Sequence, residues 1–125
     1  MITEDYVSFE TAKLLKEKGF DECPLFHYDD CGQIWIPGGY DKTKTWHFPA
    51  PTLQMAMKWL REVHDLNINN ELSIHGYFCS ISHIVRDSLG NIVDIEDSES
   101  WETAYYDTHE DACEAAIRYC LENLI

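Results

Sequence analysis

The last eighteen residues, Thr108 to Ile125, carry a complete helix signal and constrain the fold more than any other segment. Thr108 supplies an N-cap hydroxyl, Asp111 stands three residues on in a capping-box pattern, and Glu110 and Asp111 place negative charge in the first turn. Ala112, Cys113, Ala116, Ile117, Cys120, Leu121 and Leu124 then recur at helical intervals and share one broad face. Such a helix must bury that face against something else, and its apolar stripe offers packing in place of chemistry.

The remaining chain supplies the packing partners. Ser8 predicts a first helix through Lys18, with Phe9, Ala12 and Leu15 inward and Gly19 as its stop. Cys23–Tyr28 and Gln33–Ile36 read as short strands joined by Asp29-Asp30-Cys31-Gly32, and Thr45–Phe48 as a further one. Thr52 caps a second helix whose face comprises Leu53, Ala56, Met57, Leu60, Val63 and His64. Met55, Trp59 and Leu66 widen that arc, so this helix is expected at the centre. Leu72–Arg86 reads as one long strand, and the Asp87–Asn91 turn leads into Ile92–Ile95. An acidic loop follows, with Thr103–Tyr106 as a last strand. Helix–strands–helix–strands–helix, with antiparallel strands on short loops, predicts a single α+β domain over 1–125, an antiparallel sheet packed against three amphipathic helices.

Charge narrows the range of partners. Twenty-three Asp and Glu against nine Lys and Arg give a net charge of −14. Nucleic acid affinity comes from cationic side chains displacing counterions, so nucleic acid is not an expected partner; anionic membranes are disfavoured in the same way. From Asp87 to Glu114 there are ten carboxylates and no Lys or Arg. That segment is expected either as a solvated surface or as a face for a basic protein, with Asp94, Glu96, Asp97, Glu99 and Trp101 as its contact residues. The five cysteines lack CxxC spacing, and Cys113 and Cys120 stand about 10 Å apart along their helix, beyond disulfide reach. The acidic N-terminus lacks the apolar run of a signal peptide, and no stretch approaches the length of a membrane span. A reduced, cytoplasmic, soluble protein is expected.

Catalytic vocabulary is sparse. Cys23, His27 and Cys31 have zinc-ligand chemistry at C-x3-H-x3-C spacing, with Asp29 or Asp30 able to complete a shell. An extended strand would hold Cys23 and His27 about 13 Å apart, which opposes a shared metal. His75, Cys79 and His83 share a strand face at similarly stretched spacing, so no Cys/His nucleophilic pair forms within that strand. Asp94, Glu96, Asp97 and Glu99 lack the spacing and glycine of a calcium loop. Gly38-Gly39 leads to a strand and does not cradle phosphate, and no GxSxG nucleophile exists. His64, near a helix C-terminus, reads as structural, and Trp35, Trp46 and Trp101 as packing or edge aromatics. No catalytic residue, cofactor or metal is expected.

Three stretches, Glu10–Phe20, Ala50–His64 and Tyr106–Leu124, together resemble a family of small acidic proteins of Bacteroides-type bacteria, their phages and mobile elements. The resemblance covers the three helices and carries no activity or site residues. It implies a small accessory protein. The expectation is therefore a non-enzymatic interaction module engaging a basic host protein. A structural homo-oligomer, and a zinc-binding protein or metal- or thiol-dependent enzyme using the Cys/His clusters, are the alternatives.

Overall fold

The computed structural model describes residues 4–35, 39–97 and 104–125. Helix α1 spans Phe9–Glu17, and the Ser8 hydroxyl accepts from the Thr11 N–H as its N-cap. Gly19, at φ +89°, ends it in the left-handed conformation that suits glycine. Two-residue strands β1 (His27–Tyr28), β2 (Ile34–Trp35) and β3 (Phe48–Pro49) form a small antiparallel sheet in the order β2-β1-β3. It rests on α1 through Phe9, whose ring lies 5.7 Å from Tyr28 and 5.4 Å from Phe48.

Helix α2 (Leu53–His64) is capped by Thr52, which accepts from the Met55 N–H. It ends at Asp65, whose φ of +55° turns the chain directly into strand β4 (Leu66–Ser73). Strand β5 (Gly76–Arg86) returns antiparallel, and β6 (Ile92–Asp97) follows, giving a second sheet in the order β4-β5-β6. Helix α3 (His109–Tyr119) continues into a π-helical turn over Cys120–Leu124. Thr108 accepts from the Asp111 N–H, as the capping pattern predicts.

The fold is α+β, with three helices and two antiparallel sheets in place of the single expected sheet. The core gathers Val7, Ala12 and Leu15 from the α1 region, Ala56, Trp59 and Leu60 from α2, Cys79 and Ile81 from β5, and Ala112, Ala116 and Ile117 from α3. Thus one face of the β4-β5-β6 sheet is covered by α2 and α3.

Several expected strands differ. Cys23–Tyr28 narrows to its last two residues, because Pro24 has no N–H for a ladder and its carbonyl instead accepts from the Tyr40 N–H. Thr45–Phe48 pairs only at Phe48–Pro49, since Asp41 and Lys44 close turns that consume the preceding backbone. The long strand over Leu72–Arg86 is a hairpin running from Leu66 to Arg86 and turning at Ile74-His75. Asn67, Asn69 and Asn70 disguise the first arm, as Asn is a poor strand former in isolation. Gly76 is the residue the corner favours. Its φ is +126°, and a Cβ there would meet the Tyr106 carbonyl oxygen at 2.7 Å. The strand expected over Thr103–Tyr106 contributes one bridge, Tyr77–Tyr106; Thr103 itself lies outside the described residues.

Candidate functional site

The β6 edge holds the described part of the acidic segment and has the geometry of a docking edge. Among the described residues β6 pairs with β5 alone, and all six of its residues are exposed. Its backbone polarity follows from the ladder. The Ile84 N–H donates to the Asp65 carbonyl at 2.8 Å, so Ile84 directs its backbone groups toward β4. Its pair with Ile95 is then a non-hydrogen-bonded one, and the Ile95 N–H and C=O point away from the sheet. The Ser82–Asp97 pair has the same parity, so Asp97 also presents its backbone outward. One outward donor is shielded: the Asp94 carboxylate accepts from the Ile95 N–H at 2.8 Å. A local carboxylate cap of this kind is one way a sheet edge avoids indiscriminate pairing.

The side chains of β6 divide between two faces. Asp94 and Glu96 stand opposite Val85 and His83, on the side that carries Ile81 and the helices. Glu96 borders a hollow of about 200 Å³ with His64, His83 and Leu124. The opposite face is apolar near the edge. There Ile84, Ile92 and Ile95 line a shallow hollow of about 300 Å³ with Arg61 and Asn67. Ile92 and Ile95 are 57% and 62% exposed, which is high for apolar side chains standing side by side.

Of the expected contact residues, Asp94 and Glu96 share a face, whereas Asp97 projects to the other one and accepts from the Ser82 hydroxyl at 3.0 Å. Glu99 and Trp101 lie outside the described residues. Other acids of the segment have internal work. Asp87 accepts from the Leu89 and Asn91 N–H groups, and those bonds, with Asn91 foremost, hold its carboxyl below the usual range. Glu114 turns inward across the start of α1, accepting from the Ser8 N–H at 3.0 Å, from the Thr11 hydroxyl at 2.5 Å and from the Ser8 hydroxyl.

The Cys/His groups are also placed. His27 is buried and stacks on His47, ring centroids 3.7 Å apart, while Cys23 and Cys31 are exposed. The described ligand atoms that converge within 4.8 Å belong to Asp29, Asp30 and Cys31, without Cys23 or His27. Asp29 is already engaged: it accepts from the Cys31, Gln33 and Trp35 N–H groups and shapes the β1–β2 turn. His75 sits in the hairpin turn, Cys79 is buried and His83 is exposed, so that trio does not assemble. His64 ends α2 with its ring 4.7 Å from Trp59, and burial lowers its pKa. Trp35 and Trp46 are each about half exposed. Among the described residues, no helix is long and apolar enough to cross a membrane.

Comparison with protein-family models, with curated proteins and with solved structures finds no match to this chain.

Proposed function

We propose that this protein is a non-enzymatic interaction module whose β6 edge accepts an extended, basic segment of a partner protein as an added strand. The observation that carries this reading is the outward backbone of Ile95 and Asp97 beside two differently charged faces. A strand laid against β6 would alternate its side chains. Those on one side would lie next to Asp94 and Glu96, those on the other next to Ile92 and Ile95, with Asp97, bound to Ser82, at the end of that face. The matching partner therefore has period two, with Lys or Arg alternating with Val, Ile or Leu. A net charge of −14 adds long-range attraction and speeds encounter with such a segment. The same charges disfavour a second copy of this chain, because β6 pairing with β6 would bring Asp94 and Glu96 carboxylates together. Small accessory proteins of the kind the helices resemble suit a role of this type, in the cytoplasm of a bacterial host.

The test is titration with a synthetic peptide of alternating Lys and Val, against a peptide of the same composition in blocks. The alternating peptide should bind with strong salt dependence, and Asp94→Lys with Glu96→Lys should abolish binding while the fold persists. Equal binding of the two peptides, or an unaffected double variant, would refute strand addition. Concentration-dependent dimers without peptide binding would point instead to self-association.

A further inference from the structure

Three of the five cysteines meet in the core where β5 packs on α3: Cys79, Cys113 and Cys120 are all buried. Two of them share one polar anchor. The Asn70 side-chain amide nitrogen lies 3.3 Å from Cys79 Sγ and 3.4 Å from Cys113 Sγ, and also donates to the His109 carbonyl at 3.1 Å. His109 stands one turn before Cys113 on α3, its Nδ1 3.7 Å from that sulfur. Buried cysteines usually serve as small apolar side chains, which need no such neighbours. Here the two N–H groups of a partly buried amide from β4 are shared among two sulfurs and a helix carbonyl.

The pair is also asymmetric. The thiol of Cys79 hydrogen-bonds to Cys113, which lowers the Cys113 pKa and raises that of Cys79. Burial pushes Cys120 up to about 12, leaving it protonated and inert. Cys113 therefore collects donors from Asn70 and Cys79. Although buried, Cys113 forms part of the wall of an open cleft of about 160 Å³, together with His109, Glu110, Glu4 and Asp5. That volume holds only a few molecules the size of water, which takes about 30 Å³ in the liquid. Its rim carries three carboxylates, Glu4, Asp5 and Glu110, which repel anionic reagents. A small neutral oxidant fits both restrictions.

We propose that Cys113 and Cys79 form a peroxide-reactive dithiol: a small hydroperoxide entering the cleft oxidises Cys113, and Cys79 converts the product to a disulfide. In the first step Cys113 gives up its thiol proton to solvent and its sulfur attacks the terminal oxygen of ROOH. An S–O bond forms, the O–O bond breaks, and the departing alkoxide takes a proton from solvent to leave as ROH, or as water from hydrogen peroxide. Cys113 is thereby oxidised by two electrons to the sulfenic acid. In the second step the Cys79 sulfur attacks Cys113 Sγ, the S–S bond forms, the S–O bond breaks, and hydroxide leaves as water with the Cys79 proton. Two thiols and one hydroperoxide give one disulfide, one ROH and one water. The bond would tie β5 covalently to α3.

One equivalent of hydrogen peroxide is added to the reduced full-length protein, followed by alkylation, intact mass measurement and peptide mapping. The expected result is loss of two hydrogens, a Cys79–Cys113 linked peptide, and Cys23 and Cys31 still alkylated. In Cys79→Ser, a sulfenic-acid trap such as dimedone should label Cys113. Oxidation at exposed Cys23 or Cys31 ahead of the buried pair would overturn the proposal, and the wild-type mapping decides this without any variant. Faster disulfide formation by glutathione disulfide than by peroxide would overturn the assigned oxidant class.

Discussion

Replacing Glu114 with alanine should destabilise the protein more than any other loss of a surface-segment carboxylate. Glu114 Oε1 receives the Ser8 N–H, the Ser8 hydroxyl and the Thr11 hydroxyl, joining the middle of α3 to the first turn of α1. Thr11 has no exposed surface, and once the carboxylate is gone its hydroxyl keeps only the Ser8 oxygen, 3.2 Å away, as a neutral and weaker partner. A hydrogen bond to a charged group contributes about 1.5–3 kcal/mol, and an orphaned buried donor costs about 1–3 kcal/mol. The three donors share one oxygen and are not additive, so the expected cost is about 2–4 kcal/mol. For a domain of this size that lowers Tm by roughly 10 °C. Urea unfolding monitored by Trp fluorescence measures it directly. Glu114→Gln keeps an acceptor oxygen and should cost about 1 kcal/mol. Pairing Glu114→Ala with Thr11→Val should recover part of the loss, because the valine leaves no hydroxyl to orphan. A Glu114→Ala variant within about 0.5 kcal/mol of the parent, the range of an ordinary surface change, would refute the reasoning.

Gly76→Ala should cost about 2–3 kcal/mol, since a Cβ at φ +126° meets the Tyr106 carbonyl at 2.7 Å and parts the reciprocal Tyr77–Tyr106 bonds of 2.8 Å. Urea midpoints read that loss, and an unchanged midpoint would show that the corner can move. Stability should decline as pH falls below about 6.5. Burial lowers the folded-state pKa of His47 and of His64 below the ordinary 6.5, so the unfolded chain binds their protons first. Their contribution is complete above that pH and is lost as pH drops toward the folded values. Unfolding midpoints between pH 5 and 8 test the sign, and a rise in stability on acidification through this range would contradict it. Asp29, Asp41 and Asp87, held down by hydrogen bonds from neighbouring groups, extend the same trend to below pH 3.8.

Local signals carried the helices. Ser8, Thr52 and Thr108 each accept the N–H three residues on, and α1 and α3 bury the faces their spacing predicts, whereas on α2 Leu53, Ala56, Met57, Trp59 and Leu60 go inside while Met55 and Val63, expected with them, stay exposed. Strand β4 was hidden because Asn67, Asn69 and Asn70 are held in the ladder by tertiary pairing with β5 against their own preference. The turn at Ile74-His75 lacks the usual Asn-Gly or Asp-Gly signature, so the hairpin read as one strand.

Sites were less legible than elements. The acidity of β6 was plain in composition, yet the strand register alone decides that Asp94 and Glu96 share a face while Asp97 binds Ser82 on the other. Glu114 belonged to the same acidic run but has an interior role, set by where α3 crosses α1. By spacing, Cys79 falls with His75 and His83 on its own strand, whereas its hydrogen-bond partner, Cys113, comes from a helix far along the chain. Spacing within one element cannot reveal a pair that only packing creates.

The most direct test of strand addition is residue-resolved amide hydrogen exchange with and without saturating alternating Lys-Val peptide. Asp97 and Ile95 both point outward; the Asp97 amide should slow markedly on binding, and the Ile95 amide, already held by the Asp94 carboxylate at 2.8 Å, should slow less. Asp94 and Glu96 pair with β5 in the free protein and should change little. Slowing confined to that alternate pattern would establish an added strand on β6. Uniform exchange along β6, or protection elsewhere on the molecule, would contradict it.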